Sequence, residues 1–458
     1  MNRCPVFPHP QGKRASLFKL FFKKRRSWMD GLYDRSYKMK MGEIRLPGVH
    51  LYMVNQPDLV RRVLVDEAPD FPKHKLMGDI LAPLMGESIF TTNGPQWRKQ
   101  RDMLDPAFDA ARIQRVFNLM QAAATEMEKR FESQAAQPAV DIDHEMTYVT
   151  ADIIFRTIMS VDLEEEKARE IFDAFVAFQK SSAHAALRQV FKFPRWWPFG
   201  RAQEKKRLAD GQRIRRALEA VIRPRYDAGA ADGDDILSAI LRAVDPDTGK
   251  RFSFDEIVDQ VAMLFLAGHE TSASALTWSL YLLAFDPAMQ ERAYQEVKTL
   301  TGTDGITPQN LRRLDLVRDI FREALRLYPP VGFFARECAH PTKMRDKKMA
   351  KGSMVVVAPW LIQRHEDYWE NPAGFDPERF SRMKGKVPLR DIYLPFGMGP
   401  RVCIGAAFAQ QEAVLILATL LRRWKFDMVP GFEPQPVGRI TVRSDNGLFL
   451  RMTERDAA

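Results

Sequence analysis

The sequence predicts a mainly α-helical fold: one large helical body, a long central helix and a small β-rich subregion. Three observations lead there. Residues 103–300 carry apolar positions at helical spacing with few breaks. Strand-like runs are few and short. One apolar stretch, 253–285, is long enough to cross an entire domain, since about 33 residues at 1.5 Å each extend roughly 50 Å.

The elements follow in order. Val49 to Val54 has the β-branched, alternating character of a strand. Helical spacing covers 110–133, 142–160, 163–185 and 201–227. Aromatics crowd 191–199, where Pro194 and Pro198 exclude a continuous helix. Asp245-Pro246-Asp247-Thr248-Gly249 marks a turn. Ser253 and Glu256 then form a capping box at the start of the central helix, which Asp286-Pro287 stops. A shorter helix covers 315–328 and ends at Pro329-Pro330. Met354 to Val357 reads as a strand and 406–424 as a helix. A C-terminal hairpin is expected over 440–451, around Asn446-Gly447.

The net charge of +10 does not indicate nucleic acid. Residues 1–29 hold eight basic residues and no acidic one, leaving 61 basic against 59 acidic residues elsewhere. The chain therefore divides into a basic N-terminal tail, 1–29, and a single domain, 30–458. Within the tail, Leu17-Phe18-Lys19-Leu20-Phe21-Phe22 followed by Lys23-Lys24-Arg25-Arg26 admits contact with a membrane surface through 17–26, or an organelle transit peptide. The preferred reading is a solvated tail whose aromatics pack on the body. Three cysteines, Cys4, Cys338 and Cys403, cannot build a disulfide framework, which suits a reducing, cytoplasmic setting. A membrane span over 260–285 is disfavoured, because His269 and Glu270 sit mid-helix.

Three segments carry chemistry. At the centre of the long helix stands Ala267-Gly268-His269-Glu270-Thr271. A glycine inside a helix costs about 1 kcal/mol against alanine, so Gly268 makes room for a close approach, unless it serves packing alone. Thr271 can bond back to a carbonyl one turn earlier. In the 315–328 helix, Glu323 and Arg326 share a face; alone, they would be an ordinary ion pair. The strongest signal is Phe396-Gly397-Met398-Gly399-Pro400-Arg401-Val402-Cys403-Ile404-Gly405, just ahead of a helix. Glycines around a lone cysteine suit a tight turn against a flat object, with backbone N–H groups and a helix N-terminus available to a thiolate.

Together these segments resemble the cytochrome P450 superfamily of haem-thiolate monooxygenases. The family's haem loop, Phe-x-x-Gly-x-Arg-x-Cys-x-Gly, is matched at Phe396, Gly399, Arg401, Cys403 and Gly405, and its central-helix pattern at Ala267, Gly268, Glu270 and Thr271. Glu323 and Arg326 match its Glu-x-x-Arg pair. Pro377-Glu378-Arg379-Phe380 is similar to the segment whose arginine completes a buried cluster, and Trp97 to Arg101 to the early helix that meets a haem propionate. Gln363-Arg364 departs from the His-Arg that many members have there, a difference that concerns local packing.

The resemblance implies haem b (iron protoporphyrin IX) with Cys403 as the metal ligand and O2 as co-substrate. It implies propionate pairing by Trp97, Arg101, Arg336 and Arg401, and a cofactor cradle that includes Phe396, Gly397, Gly405, Ala267 and Gly268. Ala267 and Gly268 would leave space over the iron, Thr271 would hydrogen-bond dioxygen or its water, and Glu270 would feed protons. Glu323, Arg326 and Arg379 would be structural. The substrate would be a hydrophobic small molecule, bordered by 73–96, 171–199, the central helix, Val331 to Phe334 and the C-terminal hairpin. Electrons would come from a separate ferredoxin and ferredoxin reductase, or from a flavoprotein, since no nucleotide-binding loop or iron–sulfur cysteine cluster is present. A monomer without nucleic acid is expected. Rival readings are a peroxide-dependent peroxygenase, a non-catalytic haem-thiolate sensor and a membrane-anchored scaffold.

Overall fold

Ser253 opens the longest helix among the described residues. Its Oγ accepts the Glu256 N–H at 3.3 Å while Glu256 Oε2 accepts the Ser253 N–H at 2.8 Å, so the capping box forms as expected. The helix Phe254–Phe285 then runs for 32 residues. This computed structural model describes residues 4–8, 10, 27–46, 49–163, 166, 169–178, 201–229, 232–302, 305–382 and 387–455. The expected membrane-contact stretch 17–26 and the aromatic segment 191–199 lie outside the described residues. Among the described residues, no helix is long and apolar enough to cross a membrane.

The central helix is surrounded by protein. Helices Ile142–Met159, Arg201–Asp227, Asp315–Leu327 and Ala406–Arg423 all touch it. Between Ile257 and Ala284 every residue is buried except Ala267, Gly268 and Thr271, which are half-buried. A helix enclosed on its flanks can keep accessible surface only where a cavity reaches it, and these three residues mark that place.

The expected 110–133 helix is two, Ala110–Arg115 and Phe117–Ser133, because Val116 leaves the helical region with ψ near 2°. Of the expected helix over 163–185, residues 169–178 are described and helical. Four strands make the main sheet, in the spatial order Met41–Leu46, Val49–Val54, Met354–Val357, Phe334–Glu337. The middle pair is parallel and the outer pairs antiparallel. Arg336 stands opposite Val355 in this register.

The C-terminal hairpin is corrected. Val442–Ser444 pairs with Pro436–Gly438, whereas Phe449–Glu454 pairs with Trp424–Met428 and with Val140–Asp141. The Asn446-Gly447 turn is real, with Gly447 at φ +77°, but it passes the chain from one small sheet to another. A turn signal fixes a change of direction and not the partner strand.

Part of the N-terminal stretch is packed on the body. Tyr281 Oη accepts the Val6 N–H at 2.9 Å, and Tyr328 Oη donates to the Val6 carbonyl at 2.6 Å. The Phe7 ring stacks on Trp360. Trp28 is wedged between two glycines: a Cβ at Gly332 or Gly438 would fall 2.1–2.2 Å from its indole.

Candidate active site

The cysteine loop is shaped by its glycines. Gly397 and Gly399 adopt φ of +76° and +74°, a region that side chains avoid. At Gly399 a Cβ would also stand 2.1 Å from the Leu64 carbonyl oxygen. The turn closes when Cys403 N–H donates to the Phe396 carbonyl at 2.9 Å. Arg101, one turn from the buried Trp97 on helix Gly94–Leu104, donates to the Val402 carbonyl at 2.8 Å and pairs with Asp105. Gly405 caps helix Ala406–Arg423, and nothing lies within 4 Å of where its Cβ would be. The Cys403 side chain is accessible although protein crowds it on most sides, as befits a wall of an internal cavity. Burial raises the thiol pKa; the Gly405 N–H and the Arg101 charge pull it down without cancelling that effect. A metal cation would settle the matter, since a coordinating thiol is deprotonated outright.

Beside this loop four cations gather: Lys73, Arg101, Arg336 and Arg401. Arg401 lies over the Trp97 ring, 4.3 Å from its centroid, and its Nη2 donates to the Thr92 carbonyl and Asn93 Oδ1 at 2.9 and 2.7 Å. Its Nη1 is buried without a hydrogen-bond partner among the described residues, and so is Nε of Arg336. Burial lowers Arg336 to about 10, and burial plus the charges of Arg336 and Arg101 lower Arg401 to about 9. Lys73, opposite Arg336 through a backbone bridge, is pushed well below its ordinary value by burial and by Arg401 and Arg336. Desolvated cations that repel one another require anions. The two carboxylates of a haem fit that demand, the open space at Gly405 fits a flat ring, and Cys403 fits its metal. Lys73 belongs to no motif, and although 73–96 was expected to border the substrate, only the fold brings its ammonium group into this cluster.

Behind the loop, Glu323, Arg326 and Arg379 form one buried network. Arg326 meets both Glu323 oxygens at 2.7 Å, and Arg379 Nε meets Glu323 Oε1 at 2.9 Å. Arg326 also donates to the Gln363, Pro372 and Gly374 carbonyls. Gln363, the residue that departs from the family pattern, ties this helix to the loop. Its Nε2 donates to the Leu325 and Arg326 carbonyls and its Oε1 accepts the Leu394 N–H.

The central-helix motif is arranged in two directions. Thr271 Oγ donates to the Ala267 carbonyl at 2.7 Å, the back-bond the sequence suggests. At half-buried Gly268 a Cβ would meet Ile154 Cδ1 at 2.5 Å, so on that side the glycine admits the close approach of helix Ile142–Met159. Glu270 is buried and bonded by two residues that the sequence reading missed, Thr441 and Arg443. The Phe334 ring faces Gly397 of the cysteine loop, on the same strand face as Arg336. Phe333 packs edge-on against Trp28.

Comparisons with known proteins identify the family. A sequence model of the family described as Cytochrome P450 matches residues 10–447. Cyclooctatin synthase of Streptomyces melanosporofaciens is 31% identical over 398 residues, 86% of this chain and 84% of that protein. Pentalenene oxygenase of Streptomyces avermitilis is 30% identical over 415 residues, 90% of each. A cytokinin hydroxylase of Arabidopsis thaliana is 31% identical over 378 residues, 80% of this chain and 71% of that one. Among solved structures, the heme domain of cytochrome P450DA superposes with a TM-score of 0.81 at 26% identity, covering 91% of this chain and 90% of that domain. With the cysteine loop, the cation cluster and the Glu-Arg-Arg network standing in one fold, the chain belongs to the cytochrome P450 family and is a P450 monooxygenase.

Proposed function

We propose that this enzyme inserts one oxygen atom of O2 into a hydrophobic organic molecule, by hydroxylation or epoxidation, with Cys403 as ligand to the iron of haem b. The observation that carries the reading is the group of desolvated, mutually repelling cations beside an accessible, glycine-turned cysteine. Arg336 and Arg401 offer buried donors to the propionates, Trp97 backs Arg401, and Lys73 joins them. Arg101 holds the Val402 carbonyl and with it the direction of the cysteine. Bound there, haem with a cysteinate ligand supplies O–O cleavage and oxygen transfer. Around it the chain supplies form: Ala267 and Thr271 border the cavity, and the Thr271 hydroxyl oxygen can still accept a hydrogen bond after donating to Ala267.

A separate ferredoxin with its reductase, or a flavoprotein, is the electron donor in this reading. The relative named as a pentalenene oxygenase makes pentalenene-like hydrocarbons the first substrates to screen. The Glu270-Thr271 pair favours O2 over peroxide as the oxidant.

The test is optical. The purified protein, reduced and exposed to carbon monoxide, should give the spectrum of thiolate ligation, and Cys403→Ser should lose it. A colourless protein, or an unchanged spectrum in the variant, would sink the assignment. Substrate oxidation with an electron-donor system, and none with peroxide alone, separates the monooxygenase from the peroxygenase.

A further inference from the structure

Trp28 stands where two backbone segments far apart in sequence meet. Its indole lies against Gly332, just ahead of strand Phe334–Glu337, and against Gly438, at the end of strand Pro436–Gly438. A Cβ at Gly332 would fall 2.1 Å from Trp28 Cζ2, and one at Gly438 would fall 2.2 Å from Cε2. Glycine at both places lets the backbone close on the ring. The preceding residue ties the same joint: Ser27 Oγ accepts the Gly438 N–H at 2.8 Å and the Met29 N–H at 3.2 Å. Phe333 and Trp360 meet the indole edge-on, with ring centroids 5.6 and 6.0 Å away.

Both segments approach the cavity between Thr271 and Cys403. Beyond Gly332, the Phe334 ring faces Gly397 of the cysteine loop. Beyond Gly438, Thr441 donates to Glu270, the neighbour of Thr271, at 2.5 Å. Val442 fastens the inner end of this hairpin. Its N–H donates to the Pro330 carbonyl at 3.0 Å, and its carbonyl accepts from Ser274 Oγ at 2.6 Å and Trp278 Nε1 at 3.0 Å, both on the central helix. The segments are therefore joined twice: directly at Pro330 and Val442, and through Trp28 at Gly332 and Gly438. Between the joints lie Val331 and Ile440, both apolar and half-buried. Arg439, the charged residue of the hairpin tip, is exposed and pairs with Asp445. The inner side of the joint is left to apolar groups.

We propose that Trp28 is a specificity-determining residue: a peg from the N-terminal stretch that fixes the outer wall of the substrate cavity and so limits the length of molecule the enzyme accepts. This rests on the reading of that cavity as the place where a hydrophobic substrate meets haem. A ring clasped by backbone on two sides, and by two further rings, does not yield to a ligand as a lone surface side chain would. The wall holds its position, and the substrate class it selects is a compact apolar molecule and not an extended chain. Removing the indole opens its seat to the cavity and unties the hairpin tip from the Gly332 segment.

The experiment titrates the holoprotein with two iron-binding probes of different reach, 1-methylimidazole and 1-dodecylimidazole, each followed by the shift of the haem absorption band. Trp28→Ala should bind the dodecyl probe about tenfold more tightly, roughly the worth of two further buried methylene groups, with the methyl probe unchanged within about twofold. Trp28→Phe keeps a ring but loses the outer edge of the indole, and should move the dodecyl probe the same way by about threefold, roughly one methylene group. If Trp28→Ala does not fold, Trp28→Phe carries the test. Equal changes for the two probes, no change in either, or weaker binding of the dodecyl probe overturns the proposal. A thiolate-type carbonyl spectrum in each variant shows that such a failure belongs to the proposal and not to the assignment of the enzyme.

Discussion

Arg336 carries a buried Nε that bonds to no described residue, and its neighbours Lys73 and Arg401 share its sign. Its worth therefore depends on what anion it meets. Arg336→Met should shed the cofactor faster, since a charge-assisted hydrogen bond contributes about 1.5–3 kcal/mol, roughly ten- to a hundredfold in the rate of haem transfer to an acceptor protein. The apoprotein of the same variant should be no less stable than the native apoprotein in urea, because a repelled, desolvated charge has gone. A large loss of apoprotein stability would refute the anion-site reading of Arg336. Gly268 poses a different question. Gly268→Ala gains up to about 1 kcal/mol of helix propensity but drives a methyl into Ile154, and such overpacking costs about 1–3 kcal/mol. The substitution should destabilise, and less so on an Ile154→Val background, where the Cδ1 atom is gone. Equal effects on both backgrounds in a double-mutant cycle would show that Ile154 is not what limits the site.

At the level of elements, the Glu-x-x-Arg helix acts as a bracket for the cysteine loop. Glu323 and Arg326 are both fully buried, and Arg326 spends its remaining donors on three carbonyls of the segment leading to Arg379. Removing one partner of such a network strands buried charge, at about 3–5 kcal/mol. Glu323→Ala should yield aggregate or haem-free protein; soluble protein with full haem content would count against the bracket. The pair looks ordinary in the sequence, because i,i+3 spacing says nothing about burial. Gln363 belongs to the same bracket: a neutral amide serves there by donating to one element and accepting from another.

Over the whole molecule, the central helix passes every layer and gathers polar groups that a shorter helix would leave in water. Glu412, on the helix after the cysteine loop, accepts from Ser272 Oγ at 2.6 Å, and burial pushes it up to about 8 from 4.5. The native state thus holds this proton more tightly than the unfolded chain. Its stabilising contribution is complete below 4.5 and is lost as pH rises through about 8. Glu412→Gln keeps the neutral shape, so relative to the native protein the variant should gain stability between those limits, by a few kcal/mol at about 1.4 kcal/mol per unit. Urea unfolding at both ends of the window measures it, and a difference independent of pH rules the proton out. The N-terminal stretch contributes at this scale as well: Val6 and Phe7 dock on Tyr281, Tyr328 and Trp360, which join the central helix to the region after the Glu-x-x-Arg helix.

How much of this the sequence could decide depends on whether the cause is local. The helix at 253–285 and its capping box, the Met354–Val357 strand, the turn around Cys403 and the Thr271 back-bond are set by neighbours within a few residues, so periodicity and residue type reveal them. The motif residues also named the family, because their order along the chain survives without coordinates. What only the tertiary structure decided involves partners far apart in sequence: Lys73 beside Arg336 and Arg401, Ile154 filling the room at Gly268, Arg443 holding Glu270, and the separate sheets on either side of Asn446-Gly447. Charge and shape at these places act through space, and no pattern along one strand of chain records which distant residue will arrive there.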